Sequence, residues 1–201
     1  MNRPDIAVFL DRDGTVNVEK EYLSSPDELQ LLPRSSDAIR ELNALGARVF
    51  VITNQSGIAR GFYTEEAVEK VHAAMRALLK KNDAFIDDFF FCPHLPGAKD
   101  KRYDKECDCR KPKPGMLHQA EHKYAIDLRR SFVVGDRCID VEAGKAVGAG
   151  TVMVATGYGS REIDACRNEP DFFAEDLYAG VQYIRERISG QERPITQSRN
   201  A

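Results

Sequence analysis

The segment Ile6-Ala7-Val8-Phe9-Leu10-Asp11-Arg12-Asp13-Gly14-Thr15 decides the fold. Five apolar residues in a row stop abruptly at two acids and a glycine, which reads as a short buried strand running into a sharp turn. In open α/β sheets ligands bind beyond the carboxyl ends of the strands, so acids at this place point into a crevice. Residues two apart on a strand share a face, which puts Asp11 and Asp13 on the same side. Two clustered carboxylates repel unless a cation holds them ionised, and oxygen ligands of this kind suggest Mg²⁺. A lone D-x-D reads more readily as a solvated acidic turn, so the weight falls on what surrounds it.

Working outward, further apolar, β-branched runs lie near Arg48–Thr53, Ile86–Cys92, Ser131–Gly135 and Thr151–Ala155, and they alternate with helical patterns. Ser35 or Ser36 is the expected cap of a helix with Ile39 and Leu42 inward and Gly46 as its left-handed stop. A second helix follows Thr64, with Glu65 and Glu66 at its positive end and a stripe of Val68, Val71, Met75, Leu78 and Leu79. Leu117, Ala120 and Tyr124 mark another, and Leu177, Val181, Ile184 and Ile188 a terminal one. This alternation predicts an α/β chain: a three-layer Rossmann-like fold around a mostly parallel sheet. No insertion is long enough for a large cap domain. The expected organisation is one domain over 1–190 and a flexible tail over 191–201.

At 201 residues and 42% hydrophobic content the chain can bury a sizeable core. Lys+Arg 29 against Asp+Glu 32 leaves a net charge of -3, so no overall basic field draws it to nucleic acid or to anionic membrane. The apolar run at Ile6–Leu10 is shorter than the ~7–15 residues of a signal core. A cytoplasmic location and a monomer are the expectations. In a reducing compartment Cys92, Cys107 and Cys109 read as metal ligands, and Cys138 and Cys166 as unliganded.

The other strand ends complete a chemical set. Thr53-Asn54-Gln55-Ser56 offers hydroxyl and amide donors, Gly135-Asp136-Arg137-Cys138-Ile139-Asp140 offers two more acids, and Lys111 adds a fixed positive charge. An oxygen nucleophile, a proton donor, a metal ligand and cations for equatorial oxygens are what phosphoryl transfer needs. Cys92-Pro93-His94 and, after twelve intervening residues, Cys107-Asp108-Cys109 supply three thiolates and an imidazole. Cys₃His is a closed tetrahedral set, hence structural zinc, and it would order a polar loop over 92–111 that has little apolar surface of its own. Free cysteines in a loop are the plainer alternative.

In order and context, D-x-D-G-T at Asp11–Thr15, T-N at Thr53–Asn54, Lys111 and G-D-x-x-x-D at Gly135–Asp140 resemble the four motifs of the haloacid dehalogenase (HAD) superfamily of phosphatases. The longer strings T-N-Q-S-G-I-A-R-G at Thr53–Gly61 and C-D-C-R-K-P at Cys107–Pro112 resemble its branch of sugar-bisphosphate and histidinol-phosphate phosphatases. The resemblance implies hydrolysis of the C7 phosphate of a heptose bisphosphate, in lipopolysaccharide-core synthesis. It implies Asp11 as nucleophile and Asp13 as acid and base. Mg²⁺ would lie on Asp11, the Asp13 carbonyl and Asp136, with Thr53 and Lys111 on the transferring oxygens and Asp140 orienting Lys111 or metal waters. The loop Glu19, Lys20, Glu21, Tyr22 would enclose a small phosphorylated sugar, with Asn54, Gln55 and Ser56 beside it. Arg110 and Arg137 would take a second phosphate through their forked donors. Histidinol-phosphate hydrolysis is the nearest alternative, and the long stretch Leu95–Glu106 favours the heptose reading. A phosphoacceptor signalling module is the alternative of a different class, against which Asp13 counts.

Two patterns mislead. His118-Gln119-Ala120-Glu121-His122 matches an inverted zinc-protease motif but sits on the polar side of a helix and lacks a third ligand. Gly144, Gly148, Gly150, Gly157 and Gly159 complete neither a dinucleotide fingerprint nor a P-loop.

Overall fold

The computed structural model describes residues 5–190; the tail expected over 191–201 lies outside them. Six strands form one all-parallel sheet: β1 Ala7–Leu10, β2 Arg48–Asn54, β3 Asp88–Cys92, β4 Phe132–Gly135, β5 Gly150–Val154 and β6 Phe172–Ala174, in the order β3-β2-β1-β4-β5-β6. The helices are α1 Ser35–Ala44, α2 Ser56–Ala59, α3 Glu65–Lys80, α4 Gly115–Tyr124, α5 Cys138–Ala146, α6 Gly159–Glu162 and α7 Leu177–Ile188. None of the described helices is long and apolar enough to cross a membrane.

The two-residue period of β1 sorts the core into two layers. Val8 and Leu10 pack with Val49, Val51 and Val134 against Ile39 and Leu42 of α1, Met75 and Leu79 of α3, and Val181 and Ile184 of α7. Ala7 and Phe9 face the other way, with Phe50, Ile52 and Val133, onto Met116, Leu117 and Ala120 of α4 and Ala143 of α5. After β3 the chain returns to lay β4 on the far side of β1, so the connections from β1 and β4 diverge. That divergence opens a crevice at the carboxyl ends of β1, β2 and β4.

Local signals held where they had a mechanism. Thr64 caps α3 by accepting from the Ala67 amide, and Gly46 ends α1 at a φ of 80°. The start of α1 differs from the expected serine cap: Arg34 occupies the cap position with no side-chain bond, and Ser35 is already helical and buried. The stop at Gly46 and the apolar face, more than a cap, delimit this helix. His118 and His122 are exposed on α4, and His118 pairs with Glu121 at 3.0 Å.

Candidate active site

Three strand ends and one long connection meet in the crevice. Asp11 continues β1, its amide donating to the Val134 carbonyl at 2.8 Å, and Asp136 follows β4 directly. Thr53 and Asn54 close β2. Lys111 arrives from the polar connection between β3 and α4, and it is 4% exposed despite its charge. Its Nζ donates to Asp11 Oδ1 at 2.6 Å and to the Ile52 carbonyl at 2.9 Å, and pairs with Asp140 Oδ1 at 2.6 Å. Asn54 clasps the lysine's backbone reciprocally, Oδ1 accepting from its N–H at 3.0 Å and Nδ2 donating to its carbonyl at 3.1 Å.

The acids form two groups. Single oxygens of Asp11, Asp136 and Asp140 lie within 4.8 Å of one another. Asp136 is fully buried: its Oδ2 accepts from the Tyr158 amide at 2.8 Å, and its Oδ1 has no hydrogen-bond partner. The Asp136 carboxylate is seated against Gly14 and Gly157, both at positive φ, where a Cβ would stand 2.3 Å and 2.0 Å from Oδ2. Asp13 stands apart from this cluster, held on Oδ2 by the buried Arg12 guanidinium at 2.8 Å and 3.0 Å and on Oδ1 by Asn17 at 2.9 Å.

Burial pushes Asp11 up to about 7, with Asp140 and Asp13 adding to the rise and Lys111 opposing it. Burial and the neighbouring Asp11 and Asp140 push Asp136 up to about 9. Burial works against the Lys111 charge, yet Asp11 and Asp140 outweigh it and hold the ammonium above its ordinary value. Three acids against one ammonium, in a place water barely reaches, make a site short of positive charge. An orphaned buried carboxylate oxygen beside two more is a donor set that fits a hard divalent cation such as Mg²⁺.

Above the acids lies a cleft of about 370 Å³, lined among others by Asp13, Glu19, Tyr22, Thr53, Ser56 and Arg110. Glu21 and Gln55 also line it, whereas Lys20 is exposed and lies outside. Tyr22 meets Phe62 edge to face at 4.7 Å, bringing the 19–22 loop to the segment after α2. Arg110 donates to the His94 carbonyl at 3.3 Å, and Arg137 lines the cleft while paired with Glu162 at 2.7 Å. Sequence reasoning missed Tyr63, Tyr158 and Ile139 in this lining. The pair Phe62-Tyr63 closing the T-N-Q-S-G string was the available signal for the first.

The cysteines divide as well. The sulfurs of Cys92, Cys107 and Cys109 stand 3.2–3.5 Å apart, with His94 Nδ1 3.6 Å from Cys92 and 3.3 Å from Cys109. Tetrahedral ligands on Zn–S bonds of about 2.3 Å are about 3.8 Å apart, so the four need to spread by only a few tenths of an ångström to fit zinc. The Cys109 thiol is pulled down to about 5, chiefly by its hydrogen bond with Cys92, whose own thiol is held above its ordinary value by that bond and by burial. The Cys109 thiolate depends on Cys92 staying protonated, which a bound cation would relieve. Cys138 and Cys166 correct the expectation of unliganded thiols: they form a disulfide with Cα atoms 5.2 Å apart. The pairing joins the start of α5 to the chain beyond α6, 28 residues away, a tertiary proximity that spacing does not show.

The HAD-hydrolase-like family model matches residues 108–179. The protein named D-glycero-beta-D-manno-heptose-1,7-bisphosphate 7-phosphatase from Pseudomonas putida is 42% identical over 173 residues, covering 86% of this chain and 95% of its own. Its namesake from Escherichia coli K12 is 43% identical over 152 residues, 75% of this chain and 80% of the relative. Among solved structures, the D,D-heptose 1,7-bisphosphate phosphatase from B. bronchiseptica, complexed with magnesium and phosphate, matches with a TM-score of 0.80 at 34% identity, over 90% of this chain and 99% of that one. Identity at this level along nearly the whole P. putida relative, on a shared fold, makes the chain a phosphatase of the HAD superfamily and a member of its D-glycero-β-D-manno-heptose-1,7-bisphosphate 7-phosphatase family.

Proposed function

We propose that the chain removes the C7 phosphate of D-glycero-β-D-manno-heptose 1,7-bisphosphate, acting as a cytoplasmic monomer with one catalytic domain over 1–190, within lipopolysaccharide-core synthesis. The names of the relatives and the composition of the cleft support this reading. The observation that carries it is the Asp11 carboxylate, held on one oxygen by a buried lysine at the floor of a cleft that also presents Thr53 and Arg110.

Asp11 attacks phosphorus, forming an Oδ–P bond as the bond from phosphorus to the sugar oxygen breaks. Asp13 gives its proton to the departing alkoxide, then takes one from the water that attacks the aspartyl phosphate, which restores the Asp11 carboxylate. Thr53 and Lys111 bear on the transferring oxygens. Arg110 and Arg137 face the distal phosphate, and Glu19, Glu21, Tyr22 and Ser56 the sugar; Lys20 belongs to the same loop but outside the cleft, and Asn54 serves the site by holding the Lys111 backbone. Mg²⁺ would be held by Asp11, the Asp13 carbonyl and Asp136, supplying the charge that lets a phosphate dianion approach a carboxylate. Zinc on Cys92, His94, Cys107 and Cys109 would hold the chain that delivers Arg110 and Lys111.

The test is phosphate release with Mg²⁺ from heptose 1,7-bisphosphate, histidinol phosphate and a 3′-phosphorylated oligonucleotide. Turnover is expected on the first, and Asp11→Asn, checked for deamidation, should lose at least about a thousandfold. Parental rates in that variant, or turnover confined to histidinol phosphate, would overturn the reading.

A further inference from the structure

We propose that Tyr63 and Gln55 are positioning residues, forming a hydrogen-bonded relay that holds the Asp13 carboxyl in place for proton transfer. The inference rests on the acid–base role given to Asp13 above. Gln55 borders the cleft yet is only 2% exposed. Its Nε2 donates to Thr53 Oγ1 at 2.8 Å and to Asp13 Oδ2 at 3.2 Å, which uses both amide hydrogens. Its Oε1 accepts from the Tyr63 hydroxyl at 2.7 Å.

The chemistry of the three groups sets the direction of the relay. Asp13 Oδ2 already accepts from the Arg12 fork at 2.8 Å and 3.0 Å, so it stays an acceptor, the nitrogen end of the amide must face it, and the oxygen end is turned toward Tyr63. A buried amide oxygen without a donor is costly, and Tyr63 supplies that donor. Burial raises the Tyr63 hydroxyl to about 12, so it keeps its proton at working pH. Space for the ring comes from Gly57, where a Cβ would stand 2.4 Å from Tyr63 Cε1. The string Thr53 to Tyr63 therefore encodes more than substrate donors: Gln55 ties a phosphoryl-facing hydroxyl to the acid, and Tyr63 locks Gln55. The substrate-binding role expected for Gln55 gives way to this one, because both of its N–H groups are taken by protein.

Tyr63→Phe keeps the ring over Gly57 and removes only the donor. The amide is then free to turn, and its longer arm, to Asp13, loosens before the 2.8 Å arm to Thr53. The experiment measures the first-turnover rate of leaving-group release at saturating ester, with enzyme loaded with both metals. Heptose 1,7-bisphosphate releases an alkoxide that needs a proton, whereas 4-nitrophenyl phosphate releases a stable phenolate. The expected result is a fall of about tenfold on the first, less than about twofold on the second, and an unchanged half-saturating concentration. An equal fall on both esters, a change confined to half-saturation, or no change would overturn the relay. Thermal unfolding of the variant, expected within a few degrees of the parent, checks that it folds. Asp13→Asn in the same assay separates the two ideas. If it shows the leaving-group selectivity and Tyr63→Phe does not, only the relay falls; if it spares the alkyl ester, the acid role falls and the relay with it.

Discussion

Magnesium should displace protons from this site, and the number can be worked out. Asp11, Asp136 and Asp140 face a single ammonium, Lys111, and burial with mutual repulsion lifts Asp11 to about 7 and Asp136 to about 9. At pH 7 the ion-free site therefore keeps a proton on Asp136 and shares another with Asp11. A divalent cation binds these carboxylates only when they are ionised, so its entry should expel between about one and two protons. The sign follows: affinity rises with pH, and falls by about ten- to a hundredfold from pH 7 to pH 6, since log K changes by the number of protons released per pH unit. Titration calorimetry of Mg²⁺ into the protein, repeated in buffers of different ionisation enthalpy, reads the proton count directly as the slope of apparent enthalpy. Asp11→Asn removes one carboxylate and its repulsion on Asp136, so the count should drop below that of the parent. A zero slope for the parent at pH 7 would refute the picture of a cluster that takes protons when it lacks its cation.

Two more expectations concern elements outside that cluster. Cys107→Ser should lose bound zinc, measured by elemental analysis, and with it about a hundredfold of kcat/KM, because a shift of about 1 Å in Arg110 and Lys111 suffices for that; full activity in the zinc-free protein would contradict it. His72 is 1% exposed, stacked on Phe89 at 4.4 Å with Arg12 3.5 Å away, and burial with that guanidinium depresses it from 6.5 to about 3. The unfolded chain then takes up a proton that the folded chain refuses, so stability is lost as pH falls below 6.5, by about 2 kcal/mol at pH 5. In urea unfolding at pH 7.5 and pH 5, His72→Gln should gain about that much on the parent, and a pH-independent gap would count against a neutral buried imidazole.

What could be read from the sequence was whatever carried a local mechanism. Apolar runs located β1, β2 and β4, and their ends, acids after β1 and β4 and Thr53-Asn54 on β2, are where the site forms. Thr64 and the stripe behind it defined α3 because the cap and the burial agree. By contrast α5 went unread: it buries Val141, Ala143 and Gly144 against β4 and β5, small residues that make a weak stripe. The three residues of β6 are too few to show a period. Arg12 was hidden for a different reason. Between two aspartates it reads as solvated, yet it is fully buried, because its fork is matched by Asp13 and its plane lies beside a neutral His72.

Lys111 explains why a polar insertion is built into an otherwise regular α/β chain. Burying an ammonium costs several kcal/mol unless nearly every donor is matched. Here Asp11, Asp140 and the Ile52 carbonyl match it, but all three belong to strand ends or to α5, and none can reach outward to fetch the lysine. The chain must therefore deliver Lys111 against the loss of its own freedom, at a segment with few apolar side chains to order it. The Cys₃His cluster ends two residues before Lys111, the Asn54 clasp grips its backbone, and α4 begins four residues after. Anchors on three sides confine the lysine to one position, and the same anchors fix Arg110 at the rim. Releasing the zinc cluster should therefore harm the floor of the cleft as well as its wall, by loosening the ammonium that balances Asp11 and Asp140.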